Sequence, residues 1–120
     1  MTQILIVDDH ADIRRLLSVT LGKRFSIVEV EDGISALEAI RRNPPKLVLL
    51  DVMMPGEIDG LTVLETIKSD PKTREILVAM LTARGQAKDS DIAQAHGADA
   101  YFVKPFSPLQ VVSWVQDKLK

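Results

Sequence analysis

Residues 47–60 read LVLLDVMMPGEIDG, and this stretch changes character at its fifth residue. Four apolar residues, Leu47–Leu50, are followed at once by Asp51 and then by a segment that contains proline and glycine. A short apolar run bounded by turn residues is typical of a strand buried on both faces of a sheet. The stretch therefore predicts a buried strand whose carboxyl end carries a carboxylate.

Other short apolar runs lie on both sides of this one, and they alternate with amphipathic segments. The predicted strands are Ile4–Val7, Ile27–Val30, Leu47–Leu50, Ile76–Leu81 and Tyr101–Val103. Alternation of this kind favours an α/β fold, a doubly wound (βα)5 arrangement in which helices cover both faces of a five-stranded parallel sheet. Ligands of such sheets bind at the carboxyl ends of the strands.

The helices are predicted from apolar residues at helical spacing. Two further helices are predicted over about 86–96 and 108–119, and helix ends are predicted at Gly22, Asn43, Asp70 and Gly97. The apolar stripes of the first three helices are Ile13, Leu16, Leu17, Thr20 and Leu21, then Ile34, Leu37 and Ile40, then Leu61, Leu64 and Ile67.

Composition limits the class of protein. A chain of 120 residues, 46% of them hydrophobic, suits one domain over residues 1–120. The net charge of −2 makes nucleic acid and anionic membranes unfavoured partners, and the absence of cysteine excludes disulfides and thiolate metal sites. No apolar stretch approaches the roughly 20 residues of a membrane span. We expect a soluble, cytoplasmic protein.

The reactive side chains follow the predicted strands. Asp8 and Asp9 follow the first strand, Asp51 the third, Thr82 the fourth and Lys104 the fifth. Converging carboxylates form a hard oxygen site that suits Mg²⁺, and Asp51 is a candidate nucleophile toward phosphorus. Hydrogen-bond donors on the hydroxyl and the ammonium suit phosphoryl oxygens.

Four separated motifs resemble those of response-regulator receiver domains, of the single-domain kind that includes chemotaxis regulators. They are ILIVDDH at 4–10, LVLLDVMMPG at 47–56, MLTA at 80–83 and GADAYFVKPF at 97–106. The resemblance covers nearly the whole chain and implies a flavodoxin-like sheet of strand order 2-1-3-4-5. It also implies a phosphoacceptor signalling switch and not an enzyme with a separate substrate.

The resemblance assigns residues to the site. It implies that Asp9, Asp51 and the backbone carbonyl of Met53 bind Mg²⁺, with Mn²⁺ as a substitute, and that Asp8 acts through water. Asp51 would take its phosphoryl group from a sensor histidine kinase or a histidine phosphotransfer protein. The Lys104-Pro105 peptide bond is expected to be cis.

The resemblance also implies a switch. Thr82, with Ala83 beside it, would respond to the phosphoryl group and Tyr101 would turn inward, which remodels the face made by the fourth helix, the fifth strand and the fifth helix. A downstream protein or a second copy of the chain would dock there. Trp114 is a candidate contact residue, because aromatic residues are enriched at interfaces. It lies nearly opposite the expected buried face of its helix, which consists of Leu109, Val112, Val115 and Leu119.

Simpler interpretations exist for each residue. Asp8 and Asp9 could cap the first helix, Thr82 could cap the fourth, and Lys104 could lie on the surface. Trp114 could instead fold over its own helix or a neighbour. His10 and His96 show no spacing that suggests a metal site or a base, and both are assigned structural or solvated roles.

Three other functions compete with the switch. A phosphatase of the haloacid dehalogenase type lacks its D-x-D-x-T pattern here, because Val52, Met53 and Met54 follow Asp51. A flavodoxin-like cofactor carrier needs hydrogen-bond donors where the first turn is acidic. A receiver-like binding module that is never phosphorylated stays open.

The chain departs from the family pattern after Asp51. Pro55 to Gly60 spans five steps where the family has four, so the loop is expected to be reshaped. Met53 and Arg84 match positions that tune dephosphorylation in the family. Because methionine cannot orient an attacking water, slow self-hydrolysis is predicted.

Overall fold

The computed structural model describes residues 3–52, 54, 56–83 and 97–119. Its sheet is five-stranded and parallel, with the order β2-β1-β3-β4-β5, which confirms the predicted fold and strand order. The strands are β1 (Ile4–Val7), β2 (Ile27–Val30), β3 (Leu47–Asp51), β4 (Leu77–Ala83) and β5 (Ala100–Lys104).

Four helices lie within the described residues: α1 (Ala11–Leu21), α2 (Gly33–Arg42), α3 (Gly60–Ser69) and α4 (Pro108–Lys118). Side chains of Asp32, Asp59 and Ser107 accept hydrogen bonds from the first turns of α2, α3 and α4. The predicted ends at Gly22, Asn43 and Asp70 are confirmed as C-cap residues. The helix predicted over 86–96 lies outside the described residues.

The core is divided into two layers by the sheet. Because strand residues alternate between faces, Leu5 and Val7 of β1 pack with α2 and α3, whereas Ile4 and Ile6 pack with α1 and α4. Every residue of β1 and β3 is buried, as the apolar runs predict. The two central strands therefore anchor the residues that follow them.

The buried face predicted for the C-terminal helix α4 is confirmed at Val112 and Val115 and wrong at Leu109. Val111, Val112 and Val115 form its buried stripe, whereas Leu109 is 75% exposed. Leu109 precedes Val111 by two residues, a rotation of about 200° that turns it away from the sheet. Leu16 and Ile34, also predicted to be buried, are about half exposed at 47% and 49%.

Trp114 packs on a neighbouring strand. Its ring meets Phe102 of β5 edge to face, with centroids 6.2 Å apart and an interplanar angle of 74°. The position lies three residues after Val111, next to the buried stripe, so the ring covers the flank of the core. This contact explains the position of Trp114 without the need for a partner protein. The role of Trp114 in docking stays a prediction.

None of the helices in the described part of the chain is long and apolar enough to span a bilayer.

Candidate functional site

The carboxyl edge of the sheet brings the predicted site residues together. Parallel register places Val7 beside Leu50, the residues that directly precede Asp8 and Asp51. In the outer pair, Ala83 is paired with Lys104. Asp8, Asp51 and Lys104 therefore meet at one edge because three strands stop at nearly the same level.

Lys104 joins the two buried carboxylates. Its Nζ lies 2.9 Å from Oδ2 of Asp8 and 3.4 Å from Oδ2 of Asp51. The residue exposures of Asp8 and Asp51 are 0% and 3%. Buried carboxylates need a compensating cation, so Lys104 is a structural part of the site and not a surface lysine.

The backbone after β1 is held by α1. Nη1 of Arg14 donates a hydrogen bond to the carbonyl oxygen of Asp8 at 2.6 Å, and Nε of Arg14 lies 3.6 Å from Oε1 of Glu29. Arg14 thus fixes the turn that presents Asp8 and Asp9. Sequence reasoning missed this residue, although its position four residues after His10 is one helical turn into α1.

His10, to which the sequence assigns a structural or solvated role, has a side chain that is 57% exposed and lies against two carboxylates of the site. Its Nδ1 lies 3.0 Å from Oδ1 of Asp8 and 3.2 Å from Oδ1 of Asp9. Its backbone N–H donates to Oδ1 of Asp8 at 2.9 Å. His10 is itself the N-cap residue of α1, so the alternative that Asp8 and Asp9 only cap this helix is wrong.

The donor set suits a divalent cation. Asp8, Asp9, His10 and Asp51 each offer a ligand atom, and these atoms all lie within 4.8 Å of one another. Carboxylate oxygens are the donors that Mg²⁺ prefers, so the residues fit the metal that the sequence predicts. Met53, whose carbonyl was expected to complete the set, lies outside the described residues.

The hydroxyl predicted to act as a switch is buried near the end of β4, one residue after Leu81, which pairs with Asp51. Thr82 is 1% exposed, and its Oγ1 has no hydrogen-bond partner among the residues that the structure describes. Tyr101 lies on β5 with 42% of its surface exposed. The Lys104-Pro105 peptide bond is cis, as expected.

Gly60 lets α3 begin against the backbone of Asp51. A methyl group at this position would overlap the carbonyl oxygen of Asp51 and approach the Cα of Val52 to 2.9 Å. The N–H of Gly60 donates to the carbonyl of Val52 at 3.0 Å. The glycine therefore fixes how closely α3 approaches the backbone of Asp51.

We expect Gly60→Ala to lower the free energy of unfolding by about 2 kcal/mol, because overpacking of a rigid site costs about 1–3 kcal/mol. Helix propensity alone predicts the opposite sign, a gain of about 1 kcal/mol. Urea denaturation of the two proteins distinguishes these results. A variant at least as stable as the parent would show that the close approach is not needed.

The loop after Asp51 is anchored to α2. Gly56 has a φ of 103°, and the space next to Gly33 is filled by Ile58, whose carbonyl oxygen would lie 2.6 Å from an added Cβ. The side chain of Asp59 then caps α3. The extra residue is thus contained in a loop packed against the start of α2. Pro55, like Arg84 and His96, lies outside the described residues.

Asp32, at the amino end of α2, is ionised more readily than an ordinary aspartate. The backbone N–H of Ser35, followed by its side chain, lowers the pKa of Asp32. A lowered folded-state pKa stabilises the fold above the unfolded-state pKa, and this contribution is lost as the pH falls through the folded-state value. The cap of α2 is therefore intact at neutral pH.

Comparison with known proteins agrees with the geometry. The family model described as response regulator receiver domain matches residues 4–116. Over 115 residues, the chain is 41% identical to the phosphate regulon transcriptional regulatory protein PhoB of Klebsiella pneumoniae, covering 95% of this chain and 50% of that protein. It is 37% identical over 119 residues to the DNA-binding response regulator MtrA of Mycolicibacterium paratuberculosis, covering 98% and 51%. The chain thus spans about half the length of these relatives.

Solved structures show the same fold. The receiver domain of NtrX from Brucella abortus superposes with a TM-score of 0.89 at 33% identity, covering 98% of each chain. The activated DrrB receiver domain matches with a TM-score of 0.88 at 28% identity, covering 99% of this chain and 97% of that one. With a matching family model across nearly its whole length and an acidic site at the expected edge of the sheet, the chain belongs to the response regulator receiver domain family of two-component signalling.

Proposed function

We propose that Asp51 accepts a phosphoryl group from the phosphohistidine of a sensor histidine kinase or a histidine phosphotransfer protein. The observation that supports this most strongly is the position of its carboxylate. It is buried at the carboxyl end of β3, 3.4 Å from the Lys104 ammonium. Membership of the receiver family supports phosphoacceptor signalling in general. The resemblance of LVLLDVMMPG to the receiver motif then favours Asp51 over Asp8, which is also buried and also lies beside Lys104.

The transfer is a substitution at phosphorus. An oxygen of Asp51 forms a bond to phosphorus while the bond to the donor's imidazole nitrogen breaks and the donor keeps the electron pair. Lys104 donates hydrogen bonds to the phosphoryl oxygens, and Arg14 holds the turn that carries Asp8 and Asp9. A bound Mg²⁺ would supply charge neutralisation between these carboxylates and the incoming group.

The surroundings of the site attract cations. A cleft of about 690 Å³ opens between α2 and the loop after Asp51, and its lining includes five acids: Asp9, Glu31, Asp32, Glu38 and Glu57. A lining of one charge sign raises the local concentration of counterions. The cleft thus favours the divalent cation that an anionic phosphodonor needs.

We further propose that Thr82 reports the phosphoryl group. Its buried hydroxyl has no hydrogen-bond partner among the described residues, so a phosphoryl oxygen at Asp51 would offer it one. Thr82 is paired with Val103 of β5, two residues from Tyr101. We therefore expect movement of this hydroxyl to shift β5, the strand that carries Tyr101.

Thr82→Val should raise the free energy of unfolding by about 1 kcal/mol, because it removes a buried polar group that lacks a partner while keeping its shape. The same change should abolish the response of Tyr101 to a phosphodonor. The chain contains one tyrosine, so a fluorotyrosine label gives a single ¹⁹F signal for Tyr101.

Thr82→Ser is the matched control, since it keeps the hydroxyl. The ¹⁹F signal should shift on addition of acetyl phosphate and Mg²⁺ in the parent and in Thr82→Ser, and stay in place in Thr82→Val. An equal shift in Thr82→Val would remove Thr82 from the switch.

The proposed phosphorylation is tested by incubating the chain with acetyl phosphate or phosphoramidate and measuring its intact mass. We expect one added phosphoryl group with Mg²⁺ and none with a chelator. A folded protein that binds Mg²⁺ but gains no phosphoryl group from either donor would favour the binding module that works without phosphorylation.

Further proposals concern the cellular role of the protein. We propose that the chain is a phosphoacceptor and not an enzyme, that it is cytoplasmic, and that its face around β5 and α4 receives a protein partner or a second copy. The absence of a nucleic-acid partner is not supported by the comparisons, since MtrA is a DNA-binding response regulator. For the described residues we propose protein partners, because the rim of the site is acidic.

A further inference from the structure

His10 occupies a capping position without capping. It is the N-cap residue of α1, yet its side chain makes no hydrogen bond to the first turn of that helix. The imidazole instead turns back so that Nδ1 faces the carboxylates of Asp8 and Asp9. With 57% of the side chain exposed, the ring is held by this polar contact and not by burial.

Nδ1 lies at hydrogen-bonding distance from the carboxylate of Asp8, and neighbouring ligands of a metal ion are separated by a similar distance. Two adjacent ligands of an octahedral ion with bonds of about 2.1 Å lie about 3.0 Å apart. Nδ1 of His10 is 3.0 Å from Oδ1 of Asp8 and 3.2 Å from Oδ1 of Asp9. A ligand atom of Asp51 lies within 4.8 Å of the same group.

We propose that His10 supplies a nitrogen ligand to the divalent cation of this site and shifts its selectivity from Mg²⁺ toward transition metals such as Co²⁺ and Mn²⁺. This inference rests on the proposed cation site. Carboxylates alone suit Mg²⁺, whereas imidazole suits transition metals. A mixed set of carboxylates and one imidazole therefore binds Co²⁺ more tightly than a purely acidic site does.

The imidazole of His10 can occupy this position with or without a bound cation, because it has two neutral tautomers. In one tautomer, Nδ1 donates its proton to the carboxylates. In the other, the proton lies on Nε2, which can face water because the ring is exposed, and the lone pair of Nδ1 would be available to a cation. The exchange needs no movement of the backbone.

Calorimetric titration of the chain with Mg²⁺ and with Co²⁺ tests the selectivity. We expect His10→Asn to weaken Co²⁺ binding about tenfold or more while changing Mg²⁺ binding less than about twofold, in line with the 10–100-fold effects seen when groups around a metal are removed. Equal losses for both cations would show that His10 only positions the carboxylates, and no loss for either would remove it from the site.

Pulsed electron paramagnetic resonance of the Mn²⁺-loaded chain gives an independent readout. A ¹⁴N coupling to Mn²⁺ should be present in the parent and absent in His10→Asn. A coupling that persists in the variant, or its absence from the parent, would overturn the assignment. Asp51→Asn distinguishes the role of His10 from the existence of the cation site, because this variant should bind every cation more weakly. If it binds each cation as tightly as the parent does, the proposed cation site itself is wrong.

Discussion

Asp51→Asn should make the cation-free chain more stable and unable to take up a phosphoryl group. Asp51 shares a buried site with Asp8, and Asp9 lies next to them, while among the described residues one ammonium, from Lys104, lies within 4 Å of the buried pair. Like charges held together in a poorly solvated place destabilise the fold. Removing one negative charge should raise the free energy of unfolding by about 1 kcal/mol, because two like charges about 4 Å apart repel by about that much even in water.

Binding of Mg²⁺ should make the parent more stable than Asp51→Asn. At ten times its dissociation constant, Mg²⁺ adds about 1.4 kcal/mol to the stability of a protein that binds it only when folded. The parent should gain this amount, and Asp51→Asn should gain much less because one carboxylate is gone. Urea denaturation with and without Mg²⁺ measures both effects.

The control for this experiment is Asp70→Asn. Asp70 ends α3, and its Oδ1 accepts the N–H of Lys72 at 2.9 Å, a hydrogen bond that asparagine can keep. The control should respond to Mg²⁺ as the parent does. If Asp51→Asn were less stable than the parent without Mg²⁺, the repulsion that we assign to the cluster would not exist.

Lys104→Met should lower the free energy of unfolding by about 3 kcal/mol without Mg²⁺. The change leaves the buried carboxylates of Asp8 and Asp51 without the ammonium that lies 2.9 Å and 3.4 Å from them. Breaking a buried ion pair by removing one partner costs about 3–5 kcal/mol. Mg²⁺ should restore much of the loss, because it neutralises the same carboxylates.

Lys68→Met is a matched comparison. Lys68 is 17% exposed against 16% for Lys104, and its Nζ lies 3.0 Å from Oδ2 of Asp99, outside the acidic cluster. It also donates to the carbonyl of Ile76 at 2.8 Å. This variant should be destabilised with and without Mg²⁺ alike. A similar recovery of both variants on adding Mg²⁺ would show a general salt effect and contradict the role of Lys104.

The sheet and the edge that carries the site were predictable because both follow from local pattern. The apolar runs of β1 and β3 are buried throughout, as continuous apolar strands should be. Once the strands are parallel, Asp8 and Asp51 must meet at one edge. The sequence alone therefore placed Asp8, Asp51 and Lys104 together at one edge of the sheet.

The side-chain contacts around the acids were not predictable in the same way. His10 looked isolated because no second ligand follows it at helical spacing, and its contacts depend on the turn between β1 and α1. The buried face of α4 was misjudged because apolar residues surround that helix: Leu109, Val111, Val112, Trp114 and Val115 point in several directions. The packing of the helix against α1 and the sheet decides which of them is buried.

The most direct test of Asp51 as the acceptor is chemical trapping. After incubation with acetyl phosphate and Mg²⁺, borohydride reduces an acyl phosphate to an alcohol, which turns a phosphorylated aspartate into homoserine that peptide mass mapping can locate. We predict homoserine at position 51 in the parent and at no position in Asp51→Asn. Homoserine at position 8 or 9 of the parent, with Asp51 intact, would contradict the central claim.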